Sequence, residues 1–395
     1  MRNDNCSHME PILFIFNGLS KNNGKVGVSG GDIRLFEMIK NTDERLVHIL
    51  TTPNGIELFE KFKTGHSKQH IIDYALVSSI ASNLVISLKS FFQLPGELKR
   101  YRGYVYSSCE HLYDVLPALR LKILNHCKWY AVYHWVEDYP WKEKRGNTPF
   151  LRRYLYWLNR AFSSILIKIF SDQILAVSDQ TRDKLISIKK INPKKIKAVY
   201  CGVNYDKIKK IGERYIQEKE SVYDAVYMKR LNNGKGIFDL LEIWRLCCEK
   251  DNTLKLGIVG DGPEDIVNKI KELINRHHLQ NNIFLLGVIY DTEKKFRTLN
   301  SSKLFILPTH EENWAIVIGE AMAIKVPVLC YTIKEIVPIW KNNVEWIDFG
   351  NVKNFSNAIM DYLSSKEKRS ILSEKAFEFV KRYDWKEIAN NEFTN

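Results

Sequence analysis

The apolar residues of this chain fall into short runs of strand length, separated by stretches that repeat every three to four residues. "PILFIF" (11–16) reads as a strand buried on both faces, because it offers no polar position to alternate with. A loop carrying Gly24, Gly27, Gly30 and Gly31 follows, and "DIRLFEMIK" (32–40) has helical spacing with Asp32 well placed near its start. "RLVHILTT", "GYVYSS", "WYAVYHW" and "DQILAVS" (172–178) are further strand candidates, and "KIKAVYCGV" (195–203) closes the series. Strands taking turns with helices predict right-handed βαβ units around a parallel sheet.

After 203 the pattern breaks. "NYDKIKKIGERYIQEKES" (204–221) is polar and rich in charge, and reads as a linker. "YDAVYMKRL" (223–231) opens a second alternating series, continued by "LKLGIVG" (254–260), "IFLLGV" (283–288), "KLFILPT" (303–309) and "VPVLCY" (326–331). At 395 residues the chain is also too long for one ordinary core. The expected class is therefore α/β, with two doubly wound domains in tandem. Open α/β sheets bind ligands beyond the carboxyl ends of their strands, so the expected site lies in a cleft between the domains.

Composition narrows the partners. A content of 45% hydrophobic and 12% aromatic residues excludes wholesale disorder. The net charge of +13 suits an anionic partner, whether nucleic acid, an acidic membrane surface or a phosphorylated small molecule, and equally suits simple solubility. The seven cysteines show no metal-ligand spacing, and "MRNDNCSHME" has no signal-peptide apolar region, so a reducing cytosol is expected. "ALVSSIASNLVISLKSFF" (75–92) is broken by Asn83, several serines and Lys89, and lacks the ~20 uninterrupted apolar residues of a membrane span. "FLRRYLYWLNRAFSSILIKIF" (150–170) reads either as a basic amphipathic helix lying on anionic lipid or as an ordinary domain helix with snorkelling basic side chains.

Three stretches could carry chemistry. In "KRLNNGKGI" (229–237), Arg230 falls just past a strand and Lys235 lies in an Asn-Gly loop. A forked guanidinium and a mobile ammonium there suit two phosphates, though solvated loop residues would look the same. In "LKLGIVGDGPED", Gly260 and Gly262 follow a strand, but Pro263 and the missing third glycine rule against a dinucleotide fingerprint. A tight turn that lets a ligand approach the backbone, or a plain strand-to-helix turn, remains. In "THEENWAIVIGEAMA" (309–323), Glu312 and Glu320 stand eight residues apart. On one continuous helix that spacing would separate them by ~12 Å and ~80°. A helix starting near Ala315 instead puts Glu312 in the preceding loop and Glu320 inside the helix. The amides of Asn313, Trp314 and Ala315 would then be unpaired donors aimed at an anion. Ordinary helix acids, and Glu311 and Glu312 as favourable charge near a helix start, are the plainer alternative.

Taken in order, these stretches resemble the retaining glycosyltransferases of family 4, which have the GT-B fold of two facing Rossmann-like domains. Glu312 and Glu320 match that family's E-x7-E motif, "KRLNNGKGI" its Arg and Lys segment, and "IVGDGPE" its turn. "VSGGDIR" (28–34) is similar to the N-terminal glycine loop, "AVSDQTRDKL" (176–185) to the helix ending the first domain, and "CGVN" (201–204) to the segment before the linker. "RYDWKEIA" (382–389) is similar to the C-terminal helix that crosses back to the first domain. The resemblance implies an acceptor-side domain over 1–203, the linker 204–221, a nucleotide-sugar domain over 222–375 and the crossing helix in 376–395.

It also implies roles. Arg230 and Lys235 would neutralise the donor diphosphate, Glu320 would accept from ribose hydroxyls, and Glu312 would orient the sugar. Gly30, Gly31, Gly260, Gly262 and the amides of Asn313, Trp314 and Ala315 would line the donor, and His134 would lie by the transferred sugar. Retention by front-face displacement needs no protein nucleophile, and no cofactor or metal is expected, since Asp291-Thr292-Glu293 is a poor substitute for D-x-D. The chain departs from the family pattern at Lys229 and Lys325, which replace glycines and add positive charge, at Asn313-Trp314-Ala315 for Gly-Phe-Gly, and at Trp135 for an acid. The expected activity is transfer of a sugar from a UDP- or GDP-sugar to a glycan or lipid-linked acceptor, by a cytosolic protein resting on the membrane face. An inert scaffold holding polyanions or membrane, or a sugar-nucleotide epimerase of similar fold, is the alternative. No nucleic-acid partner is expected, as no reading motif for one is present.

Overall fold

The computed structural model describes residues 10–17, 21–22, 25–26, 30–43, 46–61, 68–73, 80–136, 139–141, 149–215 and 222–393. Gly24 and Gly27 of the expected glycine loop lie outside them. The chain divides into two compact units, Met1–Tyr200 with Ala389–Asn395, and Cys201–Ile388.

The first unit runs β1 (Ile12–Phe16), a two-residue antiparallel pairing of β2 (Lys21–Asn22) with β3 (Lys25–Val26), α1 (Gly30–Lys40), β4 (Val47–Thr51), α2 (Pro53–Lys61), β5 (Lys68–Ile71), α3 (Ile80–Phe92), β6 (Tyr104–Ser107), α4 (Leu112–Asn125), β7 (Lys128–Tyr133), α5 (Phe150–Phe170), β8 (Gln173–Ala176), α6 (Asp179–Ser187) and β9 (Ile196–Ala198). Seven parallel strands form one sheet in the order β5-β4-β1-β6-β7-β8-β9. β1 occupies its interior, pairing Ile12–Phe16 with Val47–Thr51 on one side and Ile12–Ile15 with Tyr104–Ser107 on the other. All five of its residues are buried, which is why its sequence has no alternation.

The second unit begins with α7 (Tyr205–Arg214) and continues β10 (Tyr223–Met228), α8 (Ile237–Cys248), β11 (Leu256–Val259), α9 (Glu264–Arg276), β12 (Ile283–Gly287), α10 (Thr292–Asn300), β13 (Ser302–Leu307), α11 (Ile316–Ala323), β14 (Val328–Tyr331), α12 (Val337–Trp340), β15 (Glu345–Ile347), α13 (Val352–Ser364) and α14 (Lys366–Val380). Its six parallel strands are ordered β12-β11-β10-β13-β14-β15, with β10 between β11 and β13. Counted within each sheet, both units share the 3-2-1-4-5-6 order of doubly wound folds.

Within the two parallel sheets, two strands escape the apolar pattern: β5, "KQHI", and β15, "EWI". Each closes one edge of its sheet, where a strand has one neighbour and needs fewer apolar positions. The expected linker is corrected in its first half. Residues 205–214 form α7, which buries Tyr205, Ile208, Ile211 and Gly212 in the second unit, while residues 216–221 lie outside the described ones. The division falls after Tyr200 instead of after Val203, because Val203 is buried and bridges Asp384. The expected C-terminal helix is two: residues 376–380 end α14, a turn follows at Lys381–Tyr383, and α15 (Trp385–Phe393) carries the chain from the second unit into the first.

That return is anchored by charge. Arg34 on α1 is 1% exposed and donates to the Tyr106 hydroxyl (2.6 Å) and to Glu392; the Tyr106 hydroxyl donates in turn to Glu392 (2.7 Å). Among the described residues, no helix is long and apolar enough to cross a membrane.

Gly236 fixes the register between the loop after β10 and α8. Its φ is +70°, and a Cβ there would stand 1.6 Å from the Pro308 carbonyl oxygen. Gly236→Ala is expected to lower the stability of the second unit by ~2 kcal/mol or more, read from urea unfolding followed by tryptophan fluorescence.

Candidate active site

Three neighbouring strands of the second sheet, β11, β10 and β13, deliver their following loops to the same edge. After β10 come Lys229 and Arg230. After β11 comes the Gly260–Gly262 turn, and after β13 the loop Pro308–Ala315. Backbone bonds knit these loops together. The Leu231 amide donates to the Asp261 carbonyl (2.8 Å), and the His310 amide to the Gly234 carbonyl (3.0 Å). A Cβ on Gly260, whose φ is +148°, would meet the Lys229 carbonyl oxygen at 1.8 Å. The turn is glycine because it lies directly on the Lys229–Leu231 backbone.

Glu312 sits at the centre of this edge. Its Oε1 lies 2.7 Å from the Lys229 Nζ and 3.3 Å from the Lys235 Nζ, and Lys235 also donates to the Glu311 carbonyl (2.7 Å). Burial alone would raise the Glu312 carboxyl, but the two ammonium groups outweigh it and hold the group below its ordinary range. Burial draws Lys235 below its ordinary value although Glu312 pulls the other way. Arg230 is exposed and has no ion-pair or hydrogen-bond partner among the described residues. Two ammonium groups therefore stand on one buried carboxylate, and the exposed guanidinium of Arg230 follows Lys229 in the same loop.

The helix break expected near Ala315 is present. α11 starts at Ile316, and Ala315 adopts left-handed backbone (φ 57°), which turns Glu312 out of the helix and leaves Glu320 within it. The amides of Trp314 and Ala315 have no hydrogen-bond partner among the described residues. The Trp314 ring, by contrast, is core: it is 3% exposed and packs edge-on against Trp340 with centroids 4.5 Å apart. At Trp314 the ring is therefore closed to a ligand, and its backbone amide is what the position can offer. Lys325 also occupies left-handed backbone (φ 60°), a position that favours glycine, and its ammonium goes to Glu374 (2.8 Å). The positive charge expected there is thus already paired.

Sequence reasoning missed the partner of Glu320. Lys295 of α10 reaches both its oxygens, at 2.6 and 2.7 Å, across 25 residues of chain. No spacing rule links the two.

In the first unit, Gly30 opens α1 and Gly31 packs on His134: a Cβ on Gly31 would stand 2.9 Å from the imidazole ring. The His134 Nε2 lies 2.8 Å from the Ser108 carbonyl oxygen, and the His134 amide donates to Glu110 (3.1 Å). A carboxylate does stand beside His134, supplied by Glu110 after β6 and not by position 135. Burial opposes the charge on Glu110, but Arg160 pairs with it and holds its carboxyl low. Nearby Asp114 is fully buried, and its carboxyl is pushed up to about 7, by burial first and by Asp32 and Glu110 next, against the Asn17 amide and Cys109 thiol that bond it.

Residues 29–207 match the family described as Glycosyltransferase Family 4, and residues 210–379 that described as Glycosyl transferases group 1. The chain belongs to this glycosyltransferase family. An uncharacterized glycosyltransferase of Methanocaldococcus jannaschii is 27% identical over 55% of this chain and 52% of its own length. The capsular polysaccharide biosynthesis glycosyltransferase CapM of Staphylococcus aureus is 26% identical over 40% of this chain and 42% of its own. The chain thus spans about half the length of these curated relatives. The crystal structure of Anabaena HepE in complex with UDP and glucose superposes with a TM-score of 0.72, at 17% identity and over 98% of both chains. The chain has the GT-B fold, with a seven-stranded and a six-stranded parallel α/β domain.

Two outcomes follow from the charges. Lys229→Ala leaves Glu312 with one ammonium. Because the folded-state carboxyl lies below its ordinary value, its stabilisation is full at neutral pH and fades as pH falls through and below ~4. The expected loss is ~1–3 kcal/mol at pH 7, shrinking on acidification, measured by urea unfolding across that range. Asp114 has the opposite sign: its raised carboxyl keeps a proton in the fold that the unfolded chain gives up, so stability falls as pH rises. The advantage of Asp114→Asn over the natural residue should grow from pH ~4 to ~7 and then level off, read in thermal melts across pH.

Proposed function

We propose that the protein transfers a sugar, with retention of configuration, from a nucleotide-diphosphate sugar to a glycan or lipid-linked acceptor at the cytosolic membrane face. The observation that carries the reading is the cation-rimmed carboxylate at the ends of β10, β11 and β13, with Lys229 and Lys235 on Glu312 and unpartnered Arg230 beside them. A departing nucleoside diphosphate carries negative charge that grows as the glycosidic bond breaks, and fixed cations stabilise that charge where it develops. Arg230 and Lys235 fill this role, with Lys229 as an added cation, and the Trp314 and Ala315 amides offer backbone donors at the start of α11.

Glu320 takes the ribose hydroxyls and Glu312 the sugar hydroxyls. Each already accepts from a lysine ammonium, so its oxygens are in position to accept from a hydroxyl instead. His134 keeps the role of a sugar-side hydrogen-bonding group. The acceptor oxygen bonds to the anomeric carbon on the face the diphosphate leaves, and its proton passes to the departing phosphate oxygen. No protein nucleophile takes part, and the pair of hydrolase carboxylates flanking a glycosidic bond is the wrong template. That HepE was crystallised with UDP and glucose supports a uridine donor, and the part of CapM in capsular polysaccharide biosynthesis supports a glycan acceptor.

Incubation with UDP-, GDP- and ADP-sugars, with and without cell lipid extract, tests the reading through released nucleotide. Glu320→Ala and Arg230→Ala are each expected to slow release by ~100-fold with the fold retained by circular dichroism. Undiminished turnover by Glu320→Ala would remove the motif assignment. Interconversion of the donor sugar without release would favour the epimerase.

A further inference from the structure

α5 is built inside out. An ordinary surface helix turns its apolar stripe to the core and its polar side to water. On α5 the buried residues are Arg160, Ser163, Ser164 and Ile167. Arg160 pairs with Glu110 and donates to the Trp135 carbonyl (3.0 Å), Ser163 donates to the Glu110 carbonyl (2.6 Å), and Ser164 bonds the Tyr133 hydroxyl. The apolar stripe faces away from the protein. Leu151, Leu155, Leu158, Phe162, Ile165 and Ile169, spaced 4-3-4-3-4, are each between 41 and 66% exposed. Among the described residues, nothing closes over this apolar strip, which runs along a helix ~31 Å long.

The charges say what covers it. Along its 21 residues α5 carries Arg152, Arg153, Arg160 and Lys168 and no acid. Of these, Arg152 and Lys168 are exposed beside the stripe. A second copy seated on the 3-4 spacing would set these cations against their own like in either direction, with no carboxylate of α5 to answer them. An anionic bilayer surface gives every cation a counter-charge and the stripe an apolar medium. At the start of the helix, Tyr139 stacks on Trp141 (4.9 Å), and Trp157 lies 6.0 and 6.5 Å from them. Such rings, apolar in body and polar at the tip, suit the headgroup level. α3, reached from α5 through α4, adds exposed Leu84, Val85, Leu88 and Phe92 to the same unit.

We infer that the outer face of α5 is a lipid-docking surface, lying in the plane of an anionic leaflet with Phe162 and Ile165 in the acyl boundary and Arg152 and Lys168 at the phosphates. It gives the membrane-face part of the proposed function a specific surface, and its binding is read without donor or acceptor. The test is sedimentation of the purified protein with vesicles of phosphatidylcholine alone or mixed with phosphatidylglycerol. The protein should pellet with the mixed vesicles and be released by high salt. The triple variant Leu155→Ser, Phe162→Ser, Ile165→Ser should lose ~10-fold or more in partitioning, with circular dichroism unchanged because these side chains are exposed. Arg152→Glu with Lys168→Glu should abolish the preference for phosphatidylglycerol. Failure of the natural protein to pellet, or equal pelleting of the triple variant, overturns the inference. So does a dimer seen by light scattering that the triple variant dissolves, since the stripe would then hold a second copy. Donor-dependent nucleotide release from the same preparation separates the two readings: release without vesicle binding overturns the lipid face alone, and binding without release overturns sugar transfer alone.

Discussion

Every strand pair in the two main sheets is parallel, and that single constraint arranges the rest. A parallel neighbour can be reached only by a crossover, so each strand returns through a helix and every strand ends at the same edge. Polar loops have nowhere else to gather. Lys229, Gly260 and Glu312 are separated by tens of residues, yet each follows one of three adjacent strands, and so they meet. In the first unit the same rule brings Glu110, after β6, to the amide of His134, after β7.

Within that edge, charge is arranged by exchange. Glu312 is buried and could not stay ionised alone, so lysines stand on it, and Glu320 has Lys295. A ligand bearing phosphates and hydroxyls can replace these partners one for one, phosphate for carboxylate on the ammonium groups and hydroxyl for ammonium on the carboxylates. The same ion pairs that keep these carboxylates in place thus also hold this edge in shape. Of the positions where the chain lacks its family's glycines, Ala315 and Lys325 keep the left-handed backbone that glycine would take freely. The turn geometry is retained although the residue that makes it easy is not.

Much of this could be read from residue order alone. β1 and β10 announce themselves as apolar runs, and the eight-residue gap between Glu312 and Glu320 only makes sense with a helix start between them, which Ala315 supplies. The edge strands β5 and β15 could not be read, because one neighbour and one covered face leave little apolar signature. The pairing of Lys295 with Glu320 depends on how α10 packs, and no local rule reaches that far. Trp314 was legible as a backbone donor but not as core, since its ring is placed by Trp340 and Tyr383. The period of α5 reveals a stripe, but only the buried Arg160 and its serines reveal which side faces the protein.

Arg34 and Glu392 have a consequence for how the chain is made. A buried guanidinium without its carboxylate is costly, and here the carboxylate comes from α15, more than three hundred residues downstream. The strands of the first sheet can collapse together early in synthesis, but Arg34 waits for its carboxylate on the long stretch of chain between α1 and α15. Until residue 392 is released, the first domain carries an open seat beside Tyr106. A chain cut short before α15 would leave a nearly finished domain whose Arg34 lacks this carboxylate.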